Sequence, residues 1–334
     1  MVTMKKHNDA AQLIGIDWGS TGLRVFLIGA QGSVLQTRSS QQGALQLRGS
    51  DAYARVLREL AGDWLDYRDH RGRSLPLLAS GMVGSQHGWR TAPYVACPSN
   101  AGELAQSLMP IDDTAPWICP GLIVQTPGLP PDVMRGEETQ IVGALELHPE
   151  LAAAACLILP GTHSKWVNVQ HAQILDFATH MTGELFAVLS RHSVLGFLIP
   201  AEPEPVRLSM AAFDKGVDTA RDHHHSGLSH QLFSVRTLGL TGAMSADSLA
   251  DYLSGLLIGH ELLAGLAWRS EAGLDAAPLV LIGATELCAM YRQALTRLAA
   301  PVPLVLHNTA PHGLWKLATQ AGLINTSISL AGQS

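Results

Sequence analysis

The sequence LIGIDWGSTGLR at Leu13–Arg24 and the sequence LILPGTHSKWV at Leu157–Val167 follow one pattern. In each, an apolar run suited to a buried strand ends at a glycine with hydroxyl side chains beside it, and a basic and then apolar segment follows. The pattern predicts a strand, a tight loop and a second strand, made twice. Because glycine lets backbone N–H groups approach an anion and Ser or Thr hydroxyls add donors, either loop is suited to bind phosphate.

The length and composition predict two lobes. At 334 residues the chain exceeds the size at which a single hydrophobic core stops growing. The repeat places the boundary near residues 148–155, so we expect lobes at 12–150 and 151–325. A hydrophobic content of 47% argues against disorder. The net charge of −6, without a basic stripe, gives no support to binding of nucleic acid or acidic membranes.

The cysteines and the apolar runs indicate a cytoplasmic protein. The longest apolar run, Leu151–Leu159, is about half the length of a membrane-spanning helix. Met1–Gln12 does not resemble a signal peptide. Four cysteines lie far apart without a CxxC pair, which is typical of free thiols in a reducing compartment: Cys97, Cys119, Cys156 and Cys288.

Strand and helix patterns alternate along the chain, which favours an α/β architecture. Strands are predicted at Leu13–Ile28 and Val34–Ser39 as an antiparallel meander, and at Leu75–Ala79, Cys156–Leu159, Lys165–Val169 and Gln173–Phe177. Helices are predicted at Ala52–Trp64, Ser99–Leu108, Thr139–Leu147, Gly183–Arg191, Ser245–Trp268 and Glu286–Ala299. Thr126–Pro131 and Arg221–His230 are predicted loops, and the last dozen residues are expected to fray.

Two positions favour a nucleotide site. Asp17 ends the first strand, where a carboxylate can bind Mg²⁺ through water and steer phosphates; an ordinary turn residue is the alternative. Gly283 lies between an apolar strand and a helix, which allows close backbone approach of a nucleotide to a helix N-terminus; a routine turn is the alternative. Gly161–Lys165 fails the Walker A spacing, and no G-x-G-x-x-G occurs, so a Rossmann site is unsupported.

The segment MRGEETQ at Met134–Gln140 places one arginine and two carboxylates just before a predicted helix. Adjacent carboxylates cannot lie on one face, so at most one of Glu137 and Glu138 points into a cleft. That carboxylate could accept the proton of an attacking hydroxyl, and Arg135 could bind a carboxylate substrate or orient the glutamate. The alternative is acidity at a helix N-terminus, which the helix dipole favours.

Two further segments have competing interpretations. The glycine-rich stretch Ser80–Tyr94 follows a predicted strand, and loops at the carboxyl ends of such strands commonly bind ligands. Its aromatic residues Trp89 and Tyr94 could equally pack on the surface of the lobe. The triplet His223–His225 is interpreted as a solvated loop rather than a metal site, because consecutive residues point in different directions.

Seven segments carry a resemblance to known proteins. DWGST at Asp17–Thr21, PGTHSKWV at Pro160–Val167 and GATEL at Gly283–Leu287 resemble, in that order, the two phosphate motifs and the adenosine motif of the sugar kinase, hsp70 and actin superfamily. Four segments resemble the 2-dehydro-3-deoxygalactonokinase family more narrowly: GMVGS at Gly81–Ser85, MRGEETQ at Met134–Gln140, MTGEL at Met181–Leu185 and SGLLIG at Ser254–Gly259. The resemblance covers about residues 13–322 and departs mainly in the His-rich loop and in HNTAPHG before the final helix.

The resemblance implies an α/β fold of two ribonuclease-H-like lobes with ATP in a cleft that closes on the substrate, because a kinase must exclude water. It implies phosphoryl transfer from ATP, with Mg²⁺, to the 6-hydroxyl of 2-dehydro-3-deoxy-D-galactonate in galactonate catabolism. A kinase for another sugar or sugar acid is one alternative, because a fold does not determine the substrate. A non-catalytic sugar-sensing protein is another, and a homodimer is left open.

Roles follow from the resemblance at the matching motifs. It assigns Asp17 to Mg²⁺ and phosphate steering, and the Gly283 corner to adenosine. The phosphates would be bound by Gly19, Ser20, Thr21, Gly161, Thr162 and His163, with Arg24 and Lys165 as secondary candidates. Glu138 is preferred as the base over Glu137 and Asp17, because it resembles the acidic residue before the linking helix of hexokinase-like enzymes. The sugar acid would be bound by Gly81, Met82, Val83, Gly84, Ser85, Trp89 and Arg135, with Arg135 facing the carboxylate.

Overall fold

The computed structural model describes residues 11–68, 72–112, 116–200 and 209–324. The strands are β1 (Ala11–Trp18), β2 (Leu23–Gly29), β3 (Val34–Ser40), β4 (Leu77–Gly81), β5 (Tyr94–Ala96), β6 (Met109–Pro110), β7 (Trp117–Ile118), β8 (Gly121–Val124), β9 (Asp132–Met134), β10 (Ala154–Leu159), β11 (Ser164–Gln170), β12 (Gln173–His180), β13 (Leu279–Ile282) and β14 (Leu304–Leu306). The helices are α1 (Ser50–Leu65), α2 (Ala101–Gln106), α3 (Glu137–Leu147), α4 (Thr182–His192), α5 (Met210–Asp222), α6 (Leu228–Leu240), α7 (Ala246–Glu271), α8 (Thr285–Arg297) and α9 (Ala310–Gln320).

The same strand order occurs twice. One sheet has the order β3-β2-β1-β4-β7-β6, and another has the order β12-β11-β10-β13-β14. In the first, β1 pairs antiparallel with β2 and parallel with β4; in the second, β13 pairs parallel with β10 and with β14. The predicted α/β class and ribonuclease-H-like repeat are therefore confirmed. A third sheet, β5-β8-β9, was not predicted, because its strands have three or four residues.

The chain divides into two units. Of the described residues, unit 1 contains those up to Ala153, Val169–Asp176 and those from Asn308, and unit 2 contains those within Ala154–Asn168 and Phe177–His307. We expected residues 151–325 to form one lobe, yet α9 belongs to unit 1. The reason is close helix packing, because a Cβ on Gly143 of α3 would lie only 2.8 Å from the backbone nitrogen of Gly313.

The central strand β1 of unit 1 packs on both faces. Ile14, Ile16 and Trp18 are fully buried and belong to the core that includes Tyr53 of α1. The odd-numbered residues of β1 point to the other face of the sheet, where a Cβ on Gly15 would lie 3.0 Å from the side chain of Leu314. Burial of each large apolar side chain contributes about 1.5–3 kcal/mol to the stability of the folded state. Because β1 is packed on both faces, the loop that follows it is attached to a rigid strand.

Unit 2 has two apolar cores with different partners. Trp166 of β11 packs in one core with residues of α5, α7 and α8, and a second core lies among α4, α5, α6 and α7. Gly265 allows the first of these contacts, because a Cβ there would lie 2.1 Å from the Trp166 ring. The fully buried Trp166 therefore lies directly against the backbone of α7.

Only half of the predicted loop at Arg221–His230, residues 223–227, lies between α-helices. Residues through Asp222 continue α5, and α6 begins at Leu228 after a short 3-10 turn at His224–Ser226. Phe213, Val217 and Ala220 recur on one buried face of α5, which extends that helix into the polar segment. His223–His225 are exposed.

The expected fraying of the last dozen residues concerns mainly 325–334, which lie outside the described residues. Within the described ranges, no helix is both long enough and apolar enough to cross a membrane.

Candidate functional site

The first phosphate loop connects β1 to β2. The Gly19 N–H donates to the Gly22 carbonyl at 2.8 Å and closes the loop. Gly43 packs tightly beneath it, because a Cβ there would lie 2.2 Å from the Ser20 carbonyl oxygen. No backbone carbonyl of the described residues accepts a hydrogen bond from the N–H groups of Ser20 or Thr21. These two N–H groups are available to an anion.

Asp17 lies near the end of β1, beside that loop. Its side chain is 11% exposed, and one carboxylate oxygen accepts a 2.6 Å hydrogen bond from the half-exposed Arg24. Ser80 is the register partner of Asp17 on the parallel strand β4. The β1–β2 pairing therefore brings a carboxylate and a guanidinium together at the loop. Asp17 is the candidate for contact with a cation, and Arg24 is the candidate for contact with phosphate.

The second phosphate loop connects β10 to β11. Ser164 is buried, and its hydroxyl accepts a 3.4 Å hydrogen bond from the Gly161 N–H. Thr162 and His163 form the exposed tip. Across the described ranges, no backbone carbonyl accepts from their N–H groups. This loop thus presents free donors as the first loop does, although its side chains differ.

The N-terminus of α4 packs against the second loop. Gly183 allows the approach, because a Cβ there would lie 2.4 Å from the Gly161 carbonyl oxygen. The Glu184 N–H donates to the Thr162 carbonyl at 3.0 Å, and the Glu184 carboxylate hydrogen-bonds Nε2 of His163. A helix N-terminus beside free N–H groups favours an anion such as phosphate.

A cavity of about 420 Å³ lies beside the second loop, within unit 2. It is bounded by the loop, the start of α4, and the helices α7 and α8. Its apolar lining includes Phe186, Leu257, Ile258, Leu287 and Met290, and its polar lining includes Thr182, Asp251, Ser254 and Tyr291. A mostly apolar cavity with a few polar groups, of this size, fits a small organic ligand such as a nucleoside.

Gly283 lies at the predicted corner between β13 and α8. Its N–H donates to the Leu306 carbonyl at 3.3 Å, and its carbonyl oxygen lies 2.9 Å from Nδ1 of His307. Gly283 itself does not line the cavity, whereas the helix that follows it supplies Leu287 and Tyr291 to the wall. The sequence therefore predicted the corner but not the residues of α7 and α8 that line the cavity. The segment SGLLIG at Ser254–Gly259 was a signal for those of α7, because it contains three of the lining residues.

Arg135 lies against the glycine-rich loop after β4. A Cβ on Gly84 would lie 2.9 Å from Nη1 of Arg135. Nη2 donates to the Ala92 carbonyl at 2.8 Å, and the guanidinium lies 4.3 Å from the ring centre of Tyr94. Among the described residues, the buried Nε and Nη1 atoms have no hydrogen-bond partner. Unsatisfied buried donors are costly, which makes this guanidinium a candidate for an acceptor that a ligand would supply.

The loop at Gly81–Ser85 is brought to Arg135 by close backbone contacts. Gly81 has a φ of +93°, and a Cβ there would lie 2.6 Å from the Trp18 carbonyl oxygen. Gly136 approaches the same residue, with its Cβ position 3.1 Å from Cα of Gly81. The side chain of Val83 is fully buried in the core of unit 1, which removes it from contact with a substrate. Met82 and Ser85 are half-buried.

Trp89 belongs to an aromatic cluster of unit 1. Its ring stacks on Tyr53 at 5.8 Å and meets Trp18 edge-on at 6.2 Å. Its indole N–H donates to the Ser50 hydroxyl at 2.6 Å. These contacts match the packing interpretation that the sequence left open beside the substrate-binding one.

The two adjacent glutamates at the start of α3 have different surroundings. Glu138 is fully buried, with Oε2 2.6 Å from the Gly136 N–H and Oε1 3.1 Å from the Thr139 hydroxyl. Burial, and secondly the charge of Glu137, raises the pKa of Glu138 to about 8. Glu137 is half-buried and accepts a 3.0 Å hydrogen bond from the Arg135 N–H. As expected, the two carboxylates do not share one face.

The repeated strand order and the two glycine loops match the fold that the motifs predicted, that of a two-lobed sugar kinase. The chain belongs to the 2-keto-3-deoxy-galactonokinase family, whose model matches residues 17–317. This finding confirms the family resemblance of the motifs.

Two relatives agree with that family. The chain is 36% identical over 301 residues to the 2-dehydro-3-deoxygalactonokinase of Escherichia coli (strain K12), covering 90% of this chain and 94% of that protein. It is also similar to the crystal structure of a Sinorhizobium meliloti protein assigned as a 2-dehydro-3-deoxygalactonokinase. That likeness has a TM-score of 0.79 and 31% identity, and covers 92% of this chain and 98% of the other.

Proposed function

We propose that this chain is an ATP-dependent kinase that phosphorylates the 6-hydroxyl of 2-dehydro-3-deoxy-D-galactonate. The observation that carries the proposal is the guanidinium of Arg135, whose buried Nε and Nη1 have no partner among the described residues. In a family named for a sugar acid kinase, these donors suit the carboxylate of the acceptor. Arginine binds a carboxylate through two parallel hydrogen bonds, which orients the substrate as well as binding it.

The residues of unit 2 fit ATP. The cavity beside α7 and α8 is large enough for the nucleoside, and the adjoining Gly161–Ser164 loop would hold phosphates through the N–H groups of Thr162 and His163. The N-terminus of α4 adds a favourable field for the negative charge. The cleft expected between two lobes stays a prediction.

Asp17 fits a role beside Mg²⁺. One carboxylate suffices, because Mg²⁺ keeps several waters and shares its remaining ligands with substrate phosphates. When bound, the ion neutralises charge that develops on the transferring phosphoryl group. Arg24 hydrogen-bonds one oxygen of Asp17 and holds the carboxylate in place. Ser20 and Thr21 would bind phosphate through their free N–H groups.

Glu138 is our candidate for the base that accepts the proton of the 6-hydroxyl. A pKa near 8 is suited to proton transfer close to neutral pH, because the group is then neither always charged nor always protonated. Its complete burial requires that the atoms covering it move when the substrate binds. Glu137 is the alternative, because it is partly exposed.

The cytoplasmic location predicted from the sequence is part of this proposal. It is supported by the four cysteines, all of which are free thiols in the structure.

ADP release from Mg-ATP tests the proposed function. The assay would compare 2-dehydro-3-deoxy-D-galactonate with other 2-dehydro-3-deoxy sugar acids, with hexoses, and with no acceptor. We expect release that depends on the first compound. Preference for a hexose would overturn the acceptor, and release without any acceptor would indicate an ATPase.

A further inference from the structure

A chain of buried hydrogen bonds runs from the second phosphate loop into the interior of unit 2. The Gly161 N–H donates to the Ser164 hydroxyl at 3.4 Å, and that hydroxyl lies 2.9 Å from the hydroxyl of Tyr291. The Tyr291 hydroxyl donates to Oε2 of Glu261 at 2.6 Å. Three of these four residues take part through their side chains, and each of the three is at most 3% exposed: Ser164, Tyr291 and Glu261.

The direction of these bonds is consistent from end to end. The Gly161 N–H can only donate, so it occupies a lone pair of Ser164 and leaves the Ser164 proton for Tyr291. Tyr291 in turn directs its own proton to the carboxylate. Glu261 also accepts the indole N–H of Trp166 at 3.1 Å, so each of its two oxygens has a donor.

The backbone is arranged to permit this network. Trp166 reaches Glu261 because its ring lies on α7 at Gly265, where a Cβ would collide at 2.1 Å. Tyr291 also hydrogen-bonds Thr182, the first residue of α4. The Tyr291 ring, finally, forms part of the cavity wall. One side chain thus contacts the cavity, the loop and the helix start.

We infer that Tyr291 and Glu261 are positioning residues, which hold the second phosphate loop in the geometry that binds the phosphates of the nucleotide. This inference rests on the proposed function. The exposed tip residues Thr162 and His163 are bonded by Glu184 of α4, whereas Ser164 at the base of the loop is bonded by Tyr291 in the interior. A carboxylate acceptor strengthens the hydrogen bond from Tyr291, and a satisfied buried network is rigid.

Paired binding measurements distinguish positioning from simple packing. Adenosine tests the cavity alone, whereas ADP tests the cavity together with the loop. The dissociation constant of adenosine divided by that of ADP therefore isolates the phosphate contribution. We expect Tyr291→Phe to keep adenosine binding and to lower that ratio by about tenfold, the effect of losing one hydrogen bond to a charged group. Glu261→Gln should act in the same direction, and the double variant should be no worse than the more severe single variant.

Tyr252→Phe is the matched control. Tyr252 is equally buried in unit 2, and its hydroxyl bonds Ser234 at 2.7 Å and Thr219 at 3.2 Å, away from the loop. The ratio of the adenosine and ADP dissociation constants in Tyr252→Phe should equal that of the wild type. In turnover assays, Tyr291→Phe should raise KM for ATP and leave KM for the sugar acid unchanged. Should Tyr291→Phe not fold, Ser164→Ala breaks the same chain at its other end.

The outcomes separate the two claims. An unchanged ratio in Tyr291→Phe, or in Ser164→Ala in its place, overturns the positioning role, and so does an equal weakening of adenosine and ADP. A wild-type protein that binds ADP no more tightly than adenosine overturns the proposed nucleotide site itself, and this inference with it.

Discussion

Arg24 and Asp17 face each other across the β1–β2 pair, and Nη2 of the arginine donates a 2.6 Å hydrogen bond to Oδ2 of the aspartate. The arginine is half exposed and the aspartate nearly buried. The pair therefore presents a positive and a negative group at the start of the first phosphate loop. Such a pair can orient a carboxylate toward a metal while its cation contacts phosphate.

Replacement of Asp17 tests its proposed role beside Mg²⁺. We expect Asp17→Asn to lower kcat by about 10²-fold or more, because a preorganised charge at the transferring group is lost. The Mg²⁺ concentration for half-maximal rate should rise. Asp63→Asn is the control, since Asp63 bonds Arg38 at 2.8 Å elsewhere in unit 1. An Asp17→Asn enzyme with wild-type Mg²⁺ dependence would contradict the assignment.

Arg135→Lys should impair recognition of the sugar acid. Lysine keeps the charge but cannot form two parallel hydrogen bonds to a carboxylate, so KM for the acceptor should rise by about 10²-fold. ADP affinity should not change. Arg38→Lys is a matched control, because Arg38 also lies over an aromatic ring, 4.1 Å from the centre of Trp64. A KM for the acceptor unaffected by Arg135→Lys would rule out this contact.

Glu138→Gln should remove most turnover. Loss of a general base lowers the rate by about 10²–10⁴-fold, while ADP binding and folding should be retained. In the wild type, kcat should rise with pH toward about 8, because the base acts only when deprotonated. The same measurement on Glu137→Gln decides between the neighbours. Full activity of Glu138→Gln together with an inactive Glu137→Gln would transfer the role to Glu137.

The stability of Glu138→Gln should depend on pH in a defined sense. The folded protein holds the Glu138 proton up to about pH 8, whereas an unfolded glutamate loses it near its ordinary pKa of 4.5. Between these values the folded state binds more protons, so the wild type loses stability as pH rises. Glutamine has no such loss. The melting temperature of Glu138→Gln relative to that of the wild type should therefore be higher at pH 8 than at pH 4. A relative melting temperature that rises toward low pH would contradict the raised pKa of Glu138.

The strand–loop–strand repeat was predictable because its signals are local. Apolar runs such as Leu157–Leu159 and the turn residues after them specify strands and loops within a few positions. The helix after Gly283 was predictable for the same reason. The continuation of α5 to Asp222 was not, because it depends on tertiary burial of Val217 and Ala220 beneath a polar sequence.

The candidate site was only partly predictable. Glycines and hydroxyls predicted a loop after β1 and another after β10, and both are present. The burial of Glu138 was not predictable, because it depends on atoms that other segments place over it. The free N–H groups of Arg135 depend likewise on the contact with Gly84. The polar network at Glu261 had no sequence signal, because its members are separated by up to 130 positions, from Gly161 to Tyr291.

Identification of the phosphorylated product by NMR is the decisive test of the proposed kinase activity. The protein would be incubated with Mg-ATP and 2-dehydro-3-deoxy-D-galactonate, and ³¹P–¹H coupling would locate the new phosphate ester. We expect one equivalent of ADP for each sugar acid that carries phosphate on its C6 oxygen. ADP formed without a phosphorylated sugar acid, or a phosphate at another oxygen, would contradict it.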